Sequence, residues 1–179
     1  MVKSPPHYGA LIVTYVLVVD TDSDQDIVFT PVASIDRIMA YHEAGHTVAA
    51  LVRGLPLQWT SVSPPKTMVR NHLLLPSFHD FIAIERDAVV TLAGEMAEKR
   101  IHDDYEPASD DDKAHLQTLA ATLYPDDPNG ANEWTARMKI KTEALVEKHW
   151  NNIVSVAMKL LSDPLHQFSA REIKVHLGR

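Results

Sequence analysis

The 179-residue chain contains no cysteine. That removes a disulfide framework and any thiolate metal site, so a zinc ion held here would have to be bound by His, Asp or Glu. Basic charge is scarce as well: 17 Lys and Arg against 24 Asp and Glu give a formal charge of -7 and a pI near 5.7. Such a surface argues against nucleic acid or an anionic membrane as the main partner, and no long basic stripe reverses the balance. The apolar run Ala10 to Val19 is too short for a bilayer, which needs about 20 residues. Nor does it read as an export signal, because only Lys3 charges its front and Asp20-Thr21-Asp22-Ser23-Asp24 offers no small-residue cleavage site. A cytoplasmic location is the expectation. A G-x-x-x-x-G-K-[ST] nucleotide loop is also missing.

Against these absences stand 45% hydrophobic residues, enough for a substantial core, and 10 histidines. Two of them lie in Tyr41-His42-Glu43-Ala44-Gly45-His46, an H-E-x-x-H motif. On a helix the i and i+4 imidazoles sit one turn apart on one face and converge on one ion, with Glu43 beside it. Neutral imidazoles bind Zn²⁺ well, an open coordination position takes a water whose pKa the metal lowers toward ~7, and a glutamate there can serve as general base. The window Ser34 to Arg53 repeats Ile35, Ile38, His42, His46, Ala49 and Val52 at helical spacing and ends before Gly54. Gly45 within it would let a second backbone approach closely.

Elsewhere the pattern predicts a leader with a strand or hairpin over residues 1–33 (Ala10 to Val19, returning over Asp26 to Thr30) and one compact unit over 34–179. The aspartates at 20, 22, 24 and 26 do not form a calcium loop, because Gln25 and Pro31 stand where Gly and Glu are required. Leu57 to Val62 and Asn71 to Leu75 read as short strands between proline-marked turns at Pro56, Pro64, Pro65 and Pro76, and either is a candidate to hold an extended substrate by edge pairing. Phe81 to His102 is an amphipathic helix expected to pack on the motif helix, with Gly94 marking close packing or a break. Asp126 to Gly130 reads as a turn, Ala131 to Trp150 and Asn151 to Leu161 as helices, and Ser169-Ala170-Arg171-Glu172 as a capping box.

Two histidines do not complete a three-ligand site. Ser109-Asp110-Asp111-Asp112 is a good helix start, and its acidic first turn suits the helix dipole whether or not it meets a metal. Spacing alone does not choose among the three aspartates. The remaining histidines read as solvated or helix-end groups, His115 standing slightly apart because it lies one turn after Asp111.

Ala40-Tyr41-His42-Glu43-Ala44-Gly45-His46, then Leu92-Ala93-Gly94-Glu95-Met96-Ala97-Glu98, then Ala108-Ser109-Asp110-Asp111 resemble, in order and approximate spacing, the peptidase domain of FtsH-type ATP-dependent zinc peptidases. The likeness runs from about Ser34 nearly to the C-terminus. It implies zinc on His42, His46 and Asp111, with Glu43 as the catalytic glutamate and Glu98 as a reserve ligand or a group orienting a histidine. Asp110, Pro107 and Glu95 depart from the family's Asn, Gly and Arg. Without an ATPase module in this chain, the resemblance implies cleavage of peptides or already unfolded segments, with further copies in a ring or a separate unfoldase as partners.

The expectation is therefore an α+β fold, mostly helical and zincin-like, with a small sheet beside the H-E-x-x-H helix, acting as a zinc-dependent endopeptidase. A non-catalytic adaptor or regulator that retains a structural metal site is the alternative.

Overall fold

Residues 34–53 are helical as the periodicity predicts. Helix α1 spans Ser34–Arg53, and Gly54 ends it with φ +71, a left-handed conformation that costs glycine nothing. The structure, a computed structural model, describes residues 34–69, 81–102 and 110–179. The expected leader strands and the strand over Asn71 to Leu75 lie outside them.

The amphipathic stripe of α1 is an incomplete picture of what the helix does. Every residue from Ala40 to Ala50 is buried, so α1 is enclosed on all sides. Small residues make this enclosure feasible: Ala40, Ala44, Gly45, Ala49 and Ala50 let neighbours approach closely.

Strand β1 (Leu57–Val62) pairs antiparallel with β2 (Pro65–Val69), and on its other side with the two-residue β3 (Phe168–Ser169). The order is β2-β1-β3. Pro65, expected in a turn, opens β2 instead. A strand's first residue tolerates proline because no ladder N–H is required there. The order also weighs against the edge-pairing idea for Leu57 to Val62, since β1 is the central strand, paired with β2 along one edge and with β3 at Trp59 and Thr60 on the other.

Helix α2 (Phe81–Ile101) is buried continuously from Ala88 to Gly94. The helix α3 (Asp110–Leu123) is more exposed and buries only Leu116, Leu119 and Ala120. Next, α4 (Pro128–Lys148) starts earlier than expected, inside the predicted turn: Pro128 occupies a first-turn position and the Asp127 side chain accepts from the Gly130 N–H at 2.9 Å. Helix α5 (Trp150–Ser162) follows after a break at His149. A capping box opens α6 (Ala170–His176): the Ser169 N–H donates to Glu172 at 2.8 Å and the Glu172 N–H donates back to Ser169 Oγ. Hydrogen bonds from the Ser169 hydroxyl and backbone, with His166 adding to them, bring the Glu172 carboxyl down to about 2.

Trp134, Met138, Ile153, Leu160 and Ile173 are fully buried and belong to one apolar cluster that also takes in buried residues of α1, α2 and α3. Tyr41 of α1 stacks on Trp150 with ring centroids 5.6 Å apart, and Arg100 covers the same indole at 4.5 Å. No helix among the described residues is long and apolar enough to cross a membrane.

Candidate metal centre

His42 and His46 stand one turn apart on α1, with ring centroids 4.4 Å apart and planes nearly perpendicular. Their outer nitrogens are engaged by α2. The Nδ1 of His46 lies 2.7 Å from the Val90 carbonyl oxygen, and that of His42 lies 2.9 Å from Glu98 Oε1. A carbonyl oxygen only accepts, so His46 must carry its proton on Nδ1. Glu98 favours the same tautomer for His42. Both Nε2 lone pairs are thereby turned inward, 2.8 Å from each other.

Asp112 closes the arrangement from α3. Its Oδ2 is 3.2 Å from His42 Nε2 and 3.3 Å from His46 Nε2. One donor atom from each of His42, His46 and Asp112 lies within 4.8 Å of the other two. Three acceptors meeting in a buried space require a positive charge among them, either a proton or a metal ion. The donor set fits zinc: two imidazole nitrogens and a carboxylate oxygen, each histidine with an acceptor behind it to fix its tautomer.

The proton alternative shows in the electrostatics. Burial works against a charged His42, but Asp112, Glu98 and Glu43 outweigh it and raise His42 to about 10. Burial likewise opposes ionisation of Asp112, and the two histidines override it, holding that carboxyl well below the usual carboxylate range. In this respect the centre already carries the balance of charge that a cation would meet.

The expected third ligand was Asp111; the structure brings Asp112 to the histidine pair and leaves Asp111 exposed. The reason is helical phase. Consecutive residues are turned by about 100°, and the buried face of α3 carries Leu116, Leu119 and Ala120. Asp112 lies at i−4 from Leu116 and extends that face; Asp111 shares its face with His115, which pairs with Asp87 at 3.0 Å. The apolar spacing of Leu116 and Leu119 was the available signal for choosing Asp112.

Glu98 sits behind His42 as an orienting partner, not among the three converging donors. It is 1% exposed, and apart from the ion-pair contact of Oε1 with His42, neither carboxylate oxygen has a hydrogen-bond partner among the described residues. Such a group is stable only beside a proton or positive charge, which His42 supplies.

Two glycines allow α1 and α2 to meet closely enough for this. A Cβ on Gly45 would lie inside contact distance of the Ala93 carbonyl oxygen and 3.0 Å from Ala97 Cβ. The close approach anticipated at Gly45 is thus the approach of α2. A Cβ on Gly94 would lie 2.5 Å from His46 Nε2 and 2.8 Å from His42 Cε1. Gly94 is therefore the floor of the centre, a matter of packing and not a helix break.

Glu43 is buried on α1 between the two histidines in sequence. Burial pushes its carboxyl up; His46, a hydrogen bond from Thr67 and His42 pull against that. The Thr67 hydroxyl donates to Glu43 Oε2 at 2.6 Å. No sequence signal pointed to Thr67, because the contact depends on how β2 lies across α1.

No protein-family model matches this chain, and a search of curated proteins finds no match. The site must be judged on its own chemistry. A buried His-Glu-x-x-His with a converging Asp is the arrangement typical of zincin metallopeptidases, and it is equipped for metal-assisted hydrolysis of a peptide bond.

Proposed function

We propose that the protein is a zinc-dependent endopeptidase, with His42, His46 and Asp112 holding the metal and Glu43 acting as general base. The convergence of three acceptor atoms beside a buried glutamate carries this reading. When bound, zinc supplies Lewis acidity, lowering the pKa of a coordinated water toward ~7 and polarising a carbonyl.

The chain's own groups do the rest. Glu43 takes a proton from the attacking water as the C–O bond forms and returns it to the amide nitrogen as the C–N bond breaks. Its burial supports this, because a carboxylate whose pKa is raised is a stronger base than a solvated one. Glu98 and the Val90 carbonyl keep the imidazoles oriented through both steps.

The ordered blocks around His42, Gly94 and Ala108 support the narrower reading that this is a peptidase unit of the FtsH type. On that reading the substrates are peptides or unfolded segments, taken alone, in a ring of copies, or from a separate unfoldase.

The test combines elemental analysis with a peptide-library digest. Wild type should hold near one zinc per chain and cleave peptides. Glu43→Gln should retain the zinc while kcat falls by about 10²- to 10⁴-fold, the usual worth of a general base. Loss of zinc without loss of cleavage, or full cleavage by Glu43→Gln, would refute the assignment.

A further inference from the structure

We propose that Thr67 is a positioning residue for Glu43: its hydroxyl holds one carboxylate oxygen against β2 and leaves the other for the attacking water. This rests on the peptidase reading above. Four oxygens surround Thr67 Oγ1. Glu43 Oε2 is at 2.6 Å, Thr60 Oγ1 at 2.9 Å, the Glu43 carbonyl oxygen at 3.1 Å and Thr47 Oγ1 at 3.3 Å.

A hydroxyl has one proton to give. The shortest of these contacts is to the carboxylate, the strongest acceptor of the four, so the Thr67 proton belongs there. Thr60 and Thr47, both fully buried, then donate toward Thr67. Each hydroxyl polarises the next, and the chain ends on Glu43.

The origin of the three hydroxyls makes this a positioning device and not merely a satisfied polar group. Thr60 and Thr67 are directly opposed in the β1–β2 register, while Thr47 lies one turn beyond Glu43 on α1. The sheet and the motif helix together therefore fix where the Glu43 carboxylate points. Without the Thr67 hydroxyl, a buried flexible side chain would lose the contact that selects one rotamer, and fewer molecules would hold the base in reacting geometry.

Thr67→Val removes the hydroxyl at nearly constant shape, and Thr67→Ser restores it without the methyl group. In zinc-loaded full-length protein, Thr67→Val should lower kcat on a peptide by about tenfold, the worth of one hydrogen bond to a charged group, with KM and zinc content unchanged. Thr67→Ser should recover most of that loss. Equal activity of Thr67→Val and wild type, or equal loss in both variants, would overturn the inference while leaving the peptidase reading intact.

A thermal-unfolding cycle separates the two ideas. Thr67→Val should lower Tm by about 2–4 °C more in the Glu43 background than in Glu43→Ala. Zinc-loaded wild type that cleaves no peptide would defeat the peptidase reading alone; the same Tm shift in both backgrounds would defeat the Thr67–Glu43 link.

Discussion

His42, Glu43 and His46 are nearly as buried as the apolar interior around α4 and α5, yet the two regions are built in opposite ways. Around Trp134, Met138, Ile153 and Leu160 the interior is almost wholly apolar. The ionic partners nearby stay outside, as in the pairs Lys141–Glu85 and Arg100–Glu147. Around α1, His42, Glu43, His46 and Glu98 are all buried, and Asp112 joins them from α3. Burying ionisable groups costs several kcal/mol each unless they are paired, and replacing such networks by apolar residues is often stabilising. The difference locates function: one region is organised for stability, the other for chemistry at stability's expense.

The contrast is open to experiment, first at its strongest point. Asp112→Ala should reduce zinc from near one per chain to a small fraction, whereas Asp111→Ala should leave it unchanged; elemental analysis of identically purified proteins reads both. Loss in Asp111→Ala alone would mean that α3 is turned by one residue from the phase described.

In the apolar region, Met138→Ala should cost about 2–5 kcal/mol in a denaturant titration, through lost transfer energy and the cavity left behind. Zinc affinity of the folded variant should stay at the wild-type value. A drop in affinity would show that the two regions are coupled.

The two glycines sharpen the comparison within one interface. Gly45→Ala meets the rigid backbone of α2 and should destabilise by about 1–3 kcal/mol. Gly94→Ala meets the ends of two imidazole rings and should weaken zinc binding more than it lowers Tm. Matching effects in both variants would erase the distinction between packing glycine and site glycine.

The remaining lever is pH. Since His42 is held protonated up to about 10 in the metal-free centre, zinc must displace that proton. Affinity should therefore rise with pH, by about tenfold per unit between pH 6 and 8 for one proton released. The folding linkage has the opposite sign. A histidine whose pKa is raised on folding stabilises the metal-free protein fully below its ordinary 6.5, and that contribution disappears as pH rises through about 10. Chelator competition at several pH values, with metal-free melts alongside, checks both slopes.

Local features were the legible ones. Ser34 to Arg53 announced its helix and its two histidines because periodicity and motif are properties of contiguous residues, and the boundaries of β1 and the Ser169–Glu172 capping box were readable for the same reason. Glu98 was expected near the site as a reserve ligand or a group orienting a histidine, and it lies beside His42, outside the three converging donors. Relations between distant segments were harder. The choice of Asp112 over Asp111 depended on the rotation of α3 about its axis, which Leu116 and Leu119 encode only weakly. Thr67 was invisible because its partner lies on another element, across a strand that begins at a proline.

The three donors come from only two places in the chain, and His46 and Asp112 are 66 residues apart in sequence. An ion held by them would be a cross-link closing that long loop, in a protein that has no cysteine to make a covalent one. Ligand linkage gives such a tie about 2.7 kcal/mol of added stability when free zinc stands at a hundred times its Kd. Metal supply would then regulate how long the folded chain survives, as well as whether it is active.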